Sequence, residues 1–173
     1  LIGLLFGWGG DFLLHVSQKQ LCLLAGLISF LLGHICYIAA FSKALQNAFP
    51  EVSFFAPADT AAFLLLFGAA LIFEIIKRQK FGKALIPVIL YSAMLILMFV
   101  KAGALGLRTL SASGSGTVPV CLILIAGAAL FLISDILLAV KTFIRKEDYY
   151  LVIGNIVSYY TAQILIACTL LFI

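Results

Sequence analysis

Charged residues are scarce in this chain, and their scarcity defines the solvent around it. The 173 residues include 11 Lys and Arg and 7 Asp and Glu, which together make up 10% of the sequence. A soluble domain carries about 25% charged residues. Hydrophobic residues reach 65%, and the mean hydropathy is +1.25. The surface of this protein is therefore not mainly in contact with water, which indicates a membrane protein.

Motifs of several enzyme classes are also absent. The sequence has no GxSxG elbow of a serine hydrolase, no Gly-Lys-Ser/Thr phosphate loop and no HExxH pair. Its four cysteines lack CxxC spacing, and its two histidines cannot supply a three-histidine zinc site. A mixed site of His34, Asp11 and Asp135 is the one metal alternative. We expect neither a metal nor another cofactor.

Long apolar runs are what the sequence has instead. A helix needs about 20 apolar residues to cross the hydrocarbon core, whereas membrane β-strands are near ten residues long and alternate in polarity. No run here alternates. We therefore predict an all-α polytopic transmembrane helix bundle that forms one domain over residues 1–173. Its six predicted spans cover residues 1–14, 21–41, 60–76, 84–100, 118–140 and 151–173.

The basic residues are distributed unevenly among the loops. The loops after the first, third and fifth runs hold eight of the 11 Lys and Arg residues, and the other two loops hold three. By the positive-inside rule, the odd loops are cytoplasmic. The basic residues therefore orient the chain in the membrane and do not indicate a nucleic-acid partner. Segments 45–59 and 102–117 are predicted to be loops, the second of them external and flexible because it is rich in Gly and Ser.

Polar side chains inside the apolar runs are the candidates for function. An ionisable group at a helix centre costs about 2.5–3.5 kcal/mol on insertion scales, so each one is a candidate site residue. Asp11, His34 and Asp135 are such residues, and Tyr37 lies one helical turn after His34. The last run adds a stripe at i, i+4 and i+8 and a neighbouring tyrosine: Asn155, Tyr159, Gln163 and Tyr160.

The predicted topology brings both aspartates into the cytoplasmic half of the membrane. At 1.5 Å of rise per residue, Asp11 lies about 6 Å from its cytoplasmic loop and Asp135 about 9 Å. His34 lies about 21 Å deep, and Tyr159 reaches roughly mid-membrane from the same side. We predict a cavity that opens toward the cytoplasm or the inner leaflet, with two carboxylates near its mouth and aromatic and imidazole groups deeper.

Structural roles compete with these assignments. Asp11 is placed to pair with Lys19 at the membrane edge. Asp135 is placed to pair with Lys141, or to hydrogen-bond Asn155 and so lock two helices. Polar stripes on membrane helices also join helices at a modest gain, so the stripe on the last run has the same alternative.

The other acidic residues in and between these runs are expected to be structural. Glu74 is three residues from Lys77 and is expected to reach the membrane interface beside it. Glu51 and Asp59 fall in a predicted loop and are expected to be solvated.

Four segments resemble the YhhN/lysoplasmalogenase family of integral membrane proteins. They stand in the family's order and at comparable spacing: GGDFLL at 9–14, FLLGHICYIAAF at 30–41, GAALFLISDILLA at 127–139 and YYTAQILIA at 159–167. The resemblance covers essentially the whole chain, although residues 60–100 match only in hydrophobicity. Family members have about eight spans, so we expect one or two spans before residue 1.

The resemblance implies hydrolysis of the vinyl ether bond of a lysoplasmalogen. The products are a fatty aldehyde and glycerophosphocholine or glycerophosphoethanolamine. Asp11 and Asp135 match the family motifs and are the implied catalytic acid and base. His34, Tyr37 and the residues of the last run (Asn155, Tyr159, Tyr160 and Gln163) are the implied substrate-binding groups. The expected partners are a lysophospholipid substrate and the lipid bilayer, and the sequence does not indicate an oligomeric state.

Another class of function fits the same residues. Intramembrane Asp and His residues also form proton relays, so a lipid or proton-coupled transporter, or a membrane binding protein, is the alternative to the enzyme. In that case the two aspartates are a relay or a lock between helices. The short chain and loops favour a bacterial inner membrane, with the endoplasmic reticulum as the alternative location.

Overall fold

The computed structural model describes residues 1–16, 20–112, 118–145 and 148–169. Helices account for nearly all of these residues, and none of them lies in a β-strand. The helices, in chain order, are α1 (Ile2–Val16), α2 (Gln20–Ala48), α3 (Pro57–Ile76), α4 (Arg78–Phe81), α5 (Leu85–Ala112), α6 (Val118–Ala139) and α7 (Tyr149–Thr169). A 3-10 turn at Gly82–Ala84 leads into α5, and a π-helical segment at Val140–Ile144 follows α6.

Five helices of the described chain are long and apolar enough to cross a membrane. They are Leu21–Ala48, Pro57–Ile76, Arg78–Ala112, Val118–Ile144 and Tyr149–Thr169, with α1 as a shorter apolar helix. The prediction of a polytopic helical membrane protein is confirmed. The described residues group into two compact units, Leu1–Val100 and Lys101–Ile173.

In the first unit, α1 and α2 pack as an antiparallel pair through glycines. A Cβ built at Gly10 would lie 2.7 Å from the ring of Phe30, and one at Gly26 would lie 3.3 Å from the Gly10 carbonyl oxygen. Ser29 Oγ donates a hydrogen bond of 2.7 Å to the Phe6 carbonyl. Without water-driven association in a membrane, small residues allow the backbones close enough for van der Waals contact and such hydrogen bonds.

In the second unit, α6 and α7 pack antiparallel along matching faces. The buried positions of α6 recur at intervals of three and four: Cys121, Leu124, Gly127, Ala128, Phe131, Ser134 and Asp135. Those of α7 do the same: Asn155, Ser158, Tyr159, Ala162, Ile166 and Thr169. The carboxylate of Asp148 accepts backbone hydrogen bonds from Tyr150 and Leu151, which fixes the start of α7.

The π-helical segment changes the direction of side chains at the end of α6. Its backbone is marked by the hydrogen bond of 2.8 Å from the Arg145 N–H to the Val140 carbonyl, five residues earlier. A π turn adds a residue relative to an α turn, and such turns occur frequently at functional sites. Lys141 stands at the second position of this segment.

The predicted boundaries of two loops are wrong. Helix α2 continues to Ala48, so the loop predicted at 45–59 begins later, and α3 starts before its end at Pro57. The loop predicted at 102–117 is helical to Ala112, and residues 113–117 lie outside the described chain. The physical reason is that hydropathy marks where the apolar stretch ends, whereas a helix continues through residues such as Ala, Leu and Arg that favour it.

Candidate functional site

Asp135 lies on the buried face of α6. Its side chain is 8% exposed, and Phe131, one turn earlier on the same face, is 1% exposed. All other residues of α6 are uncharged. The carboxyl group therefore lies on a buried face of an apolar helix.

A hydrogen-bonded lock joins α6 to α7 immediately beside Asp135. Asn155 Nδ2 donates to the Ser134 carbonyl at 3.0 Å and to Ser134 Oγ at 2.9 Å. Ser134 Oγ lies 3.2 Å from the Asn155 carbonyl, to which it donates. The amide nitrogen thus contacts both oxygen atoms of Ser134, and two buried polar residues hydrogen-bond each other across the helix pair.

Lys141 forms a hydrogen bond with the same Asn155 side chain. Its ammonium nitrogen donates to Asn155 Oδ1 at 3.1 Å. Asn155 therefore accepts from Lys141 with its oxygen and donates to Ser134 with its nitrogen, so one amide connects α6, the π-helical segment and α7. The lock is made by Ser134, Asn155 and Lys141.

This arrangement bears on the structural alternatives for Asp135. Within the lock, Lys141 donates to Asn155, and Asn155 donates to Ser134. Asp135 has interactions of its own in the described chain. The catalytic role and the structural role of Asp135 therefore both stay predictions.

Aromatic residues of α6 and α7 lie one turn deeper than the lock. The ring of Tyr159 meets that of Phe131 edge to face at a centroid distance of 5.5 Å, and it meets Tyr160 at 5.2 Å. Gln163 Nε2 donates to Tyr159 Oη at 3.0 Å. Tyr159 is 7% exposed, whereas Tyr160 is 52% exposed. Of the two tyrosines, Tyr159 belongs to the interior of this unit and Tyr160 to its surface.

Asp11 belongs to the first unit and lies half-buried on α1. The residue before it, Gly10, lies against the ring of Phe30 on α2. In the antiparallel register of these helices, His34 on α2 lies about 9 Å further along the axis than Asp11, at 1.5 Å per residue. The structure thus places Asp11 near the end of the hairpin and His34 deeper, as predicted.

His34 is 1% exposed and held in one orientation. Its Nδ1 lies 2.6 Å from the Phe30 carbonyl, which only accepts, so the hydrogen of the neutral ring is assigned to Nδ1. Tyr91 on α5 meets the imidazole edge to face at 5.3 Å. Nε2 then carries the lone pair, which suits a hydrogen-bond acceptor or a base.

The ring of Tyr37 packs against neighbouring residues of α1 and α2. Its ring stacks on Phe41 at a centroid distance of 5.9 Å, and a Cβ at Gly3 would lie 3.0 Å from the ring. The ring therefore fills the space that Gly3 leaves on α1. These contacts involve the ring and leave the proposed substrate-binding role of the hydroxyl a prediction.

Two acidic residues differ from their predicted surroundings. Glu74 is 5% exposed rather than extended to the interface, and Asp59 is 8% exposed in the first turn of α3 rather than solvated in a loop. The Glu74 carboxyl has Ser92 as a hydrogen-bond partner, while Oε2 has none among the described residues. Ser92 Oγ also donates to the Ile89 carbonyl at 3.0 Å, so its single hydrogen is shared. Exposure of an acidic residue near a helix end depends on tertiary packing, which the sequence pattern does not contain.

The structure brings the predicted residues together in two groups. Asp11, His34 and Tyr37 lie in the first unit, and Asp135 lies in the second unit with Asn155, Tyr159, Tyr160 and Gln163. The pairing of the two aspartates stays a prediction. Sequence reasoning missed Ser134, although a serine beside an aspartate in an apolar run was a visible signal, and it considered Lys141 only as a partner of Asp135 and not of Asn155.

A comparison with protein families gives one match. The family model of the YhhN family matches residues 1–170, which is essentially the whole chain. No curated protein matches the chain, and no solved structure matches it.

Proposed function

The chain belongs to the YhhN family, and on this premise we propose that it is a membrane-embedded lysoplasmalogenase. The substrate is an alkenyl lysophospholipid with a choline or ethanolamine headgroup. Water cleaves its vinyl ether bond to give a fatty aldehyde and the glycerophospho-headgroup. The proposed location is a bacterial inner membrane, or the endoplasmic reticulum of a eukaryote.

The reaction needs an acid that protonates the vinyl ether and a second group that activates water. Protonation of the β-carbon of the vinyl ether gives an oxocarbenium ion, water adds to that cation and loses a proton, and the hemiacetal collapses to aldehyde and alcohol. Glycosidases divide similar work between two carboxyl groups, one protonated and one ionised. A medium of low dielectric constant favours the neutral form of a carboxyl group, so a membrane interior suits the acid.

The burial of the Asp135 carboxyl group in an apolar helix is the observation that carries the proposal. Asp135 is 8% exposed and is the one charged residue of α6. An ionisable group inside an apolar membrane helix costs free energy and is a candidate functional residue by default. This supports a chemical role. Asp11 is the second carboxyl of the proposal on the strength of its family motif.

The other residues take supporting roles in the proposal. Asn155 uses its amide nitrogen and its oxygen in the lock, so we assign it to positioning α6 rather than to contact with substrate. Tyr159 and Gln163 lie one turn deeper and line the path of the alkenyl chain, with Tyr160 at its outer side. His34 and Tyr37 remain the candidates in the first unit for orienting a carboxyl group or binding the headgroup.

Aldehyde release from purified protein in detergent micelles tests the proposal. The alkenyl lysophospholipid is compared with its saturated alkyl analogue, which has no carbon–carbon double bond to protonate. We expect aldehyde only from the alkenyl lipid. Asp135→Asn and Asp11→Asn are each expected to lower the rate by about 10²–10⁴-fold, the usual contribution of a general acid or base.

The control variant is Glu51→Gln, which neutralises an exposed carboxylate near the start of α3. It is expected to retain the rate of the wild type. Folded Asp135→Asn protein that turns over normally would remove Asp135 from the chemistry. If the wild type releases no aldehyde but moves lipid or protons across sealed vesicles, the transporter alternative is correct.

A further inference from the structure

The ammonium group of Lys141 points into the protein rather than out of it. A lysine near the end of a membrane helix ordinarily extends its ammonium toward the aqueous interface. Here the side chain is only partly exposed, and Nζ donates to the amide oxygen of buried Asn155 at 3.1 Å. The contact turns the cation back toward the level of Ser134 and Asp135.

The partner of this cation is neutral. An amide oxygen accepts a hydrogen bond from the ammonium but carries no net charge, and an ammonium has three donors. The lock therefore fixes the position of Lys141, and among the described residues its hydrogen bond to Asn155 leaves the positive charge available to an anion. A fixed cation with donors in reserve is the arrangement that binds phosphate in proteins.

The distance from this cation to Asp135 is limited by the lock itself. One Asn155 side chain spans the hydrogen bonds to Lys141 and to the Ser134 carbonyl, which are 3.1 and 3.0 Å long. The ammonium nitrogen therefore lies within about 8 Å of the peptide group that joins Ser134 to Asp135, given standard bond lengths in the amide.

A lysoplasmalogen has its phosphate and its reactive carbon at a similar separation. From phosphorus through the glycerol backbone to the β-carbon of the vinyl ether, an extended chain measures roughly 8–9 Å at about 1.2 Å per bond. A phosphate bound at Lys141 therefore leaves the vinyl ether within reach of Asp135. This comparison rests on the proposed function.

The direction along the helix is also that of a lipid in the membrane. With the loop after α6 on the cytoplasmic side, Lys141 is nearer the headgroup region than Asp135 by about 9 Å of helix rise. Phe131 and Tyr159 lie one turn deeper again, where an alkenyl chain would continue. A lysolipid from the cytoplasmic leaflet thus meets these groups without being inverted.

We propose that Lys141, held by Asn155, is the phosphate-binding residue of a lysophospholipid site whose next group along the substrate is Asp135. Phosphate binds at the ammonium, the glycerol backbone lies along the last turn of α6, and the hydrocarbon chain extends toward Phe131. The substrate class is therefore a lipid with a phosphate and one chain, drawn from the cytoplasmic leaflet.

Equilibrium binding of two non-hydrolysable lipids to the full chain in detergent micelles tests this. The probes are a radiolabelled saturated alkyl lysophospholipid and the alkylglycerol of the same chain length, which lacks phosphate. We expect Lys141→Ala to weaken binding of the phospholipid about 10- to 100-fold, the usual effect of losing a charge-assisted hydrogen bond. Binding of the alkylglycerol is expected to change less than about twofold.

Two further variants separate binding from packing. Lys141→Arg keeps a cation and is expected to restore most of the phospholipid affinity. Lys83→Ala removes an exposed basic residue from another predicted cytoplasmic loop and is expected to change neither affinity. An equal loss for both lipids in Lys141→Ala, or no loss for the phospholipid, would overturn the assignment.

Aldehyde release by the wild type, measured in parallel, keeps this inference distinct from the proposed reaction. Phosphate-dependent binding that requires Lys141, in a protein that releases no aldehyde, would support the phosphate site and reject the hydrolase. Aldehyde release together with phospholipid binding that is unchanged in Lys141→Ala would support the hydrolase and reject the phosphate site.

Discussion

At the scale of single residues, one amide has an unusually large share of the polar contacts. Asn155 uses its nitrogen for Ser134 and its oxygen for Lys141. Hydrogen bonds between membrane helices average about 0.6 kcal/mol and reach about 1.7 kcal/mol. Three of them on one side chain make Asn155 the strongest single candidate for holding α6 against α7.

Asn155→Ala is expected to lower the free energy of unfolding by about 1–3 kcal/mol, because it removes the lock and leaves the buried Ser134 carbonyl and hydroxyl without this donor. Denaturant titration in micelles measures the change. Ser111→Ala removes an exposed hydroxyl that bonds only within α5 and is the control, expected within about 0.5 kcal/mol of the wild type. Equal stability of the two variants would contradict the lock.

For Glu74 we predict a substitution that raises the free energy of unfolding instead of lowering it. Its Oε2 is buried with no hydrogen-bond partner among the described residues, in a helix otherwise suited to lipid. Glu74→Met keeps a similar volume and removes the unsatisfied oxygen, so we expect the free energy of unfolding to rise by about 1–2 kcal/mol. Thermal unfolding compared with Glu51→Met, which alters an exposed site, measures this. A marked fall in stability would show that the carboxyl is satisfied.

At the scale of helices, the contact between α1 and α2 depends on the absence of side chains. The ring of Phe30 occupies the space that a Cβ of Gly10 would need. The same contact positions Asp11, which follows Gly10 directly. Gly10 therefore allows the close packing of α1 against α2 and also positions Asp11.

Gly10→Ala is expected to destabilise the protein by about 1–3 kcal/mol, because its Cβ would lie 2.7 Å from a buried ring. The matched control is Gly68→Ala on α3, where nothing lies within 4 Å. There we expect a gain of about 0.5–1 kcal/mol from the higher helix propensity of alanine. Shifts of the unfolding midpoint with the same sign in both variants would contradict the close packing.

The sequence was sufficient to predict the helices but not where two of them end. Apolar runs predicted each of the five long helices and the shorter α1, because a helix that crosses the hydrocarbon core needs about 20 apolar residues. The end of α5 could not be found this way, since Gly103, Gly106 and Ser111 suggested a loop while the backbone stays helical to Ala112. A helix that continues past the membrane surface leaves no mark in hydropathy.

At the scale of the whole molecule, the candidate site is the part that sequence predicted least completely. Asp135 stood out because it is the single charge of an apolar run. Asn155 and Lys141 were recognised near it, but their hydrogen bonds to each other and to Ser134 were not, because these bonds join residues 14 and 21 positions apart and depend on how α6 and α7 pair. The burial of Asp59 and Glu74 escaped prediction for the same reason.

Membrane sidedness is the whole-molecule property on which the lipid orientation depends. In a variant with its four cysteines replaced, Glu51→Cys is expected to react with a membrane-impermeant thiol reagent applied to intact cells. Lys83→Cys is expected to react only after the membrane is opened, because basic loops remain in the cytoplasm. Labelling from the opposite sides would place the lysine at the end of α6 outside the cell and reject entry from the cytoplasmic leaflet.

The π-helical segment can be regarded as one residue inserted into a regular helix. An α-helix turns by about 100° per residue, so removing one residue from Val140–Ile144 would shift the helical phase of whatever follows the deletion by that angle. Two chains with the same hydropathy profile, one with this residue and one without it, would therefore present different side chains to the same lipid. The number of residues in this segment therefore decides which side chains face the lipid, and the hydropathy profile does not reveal it.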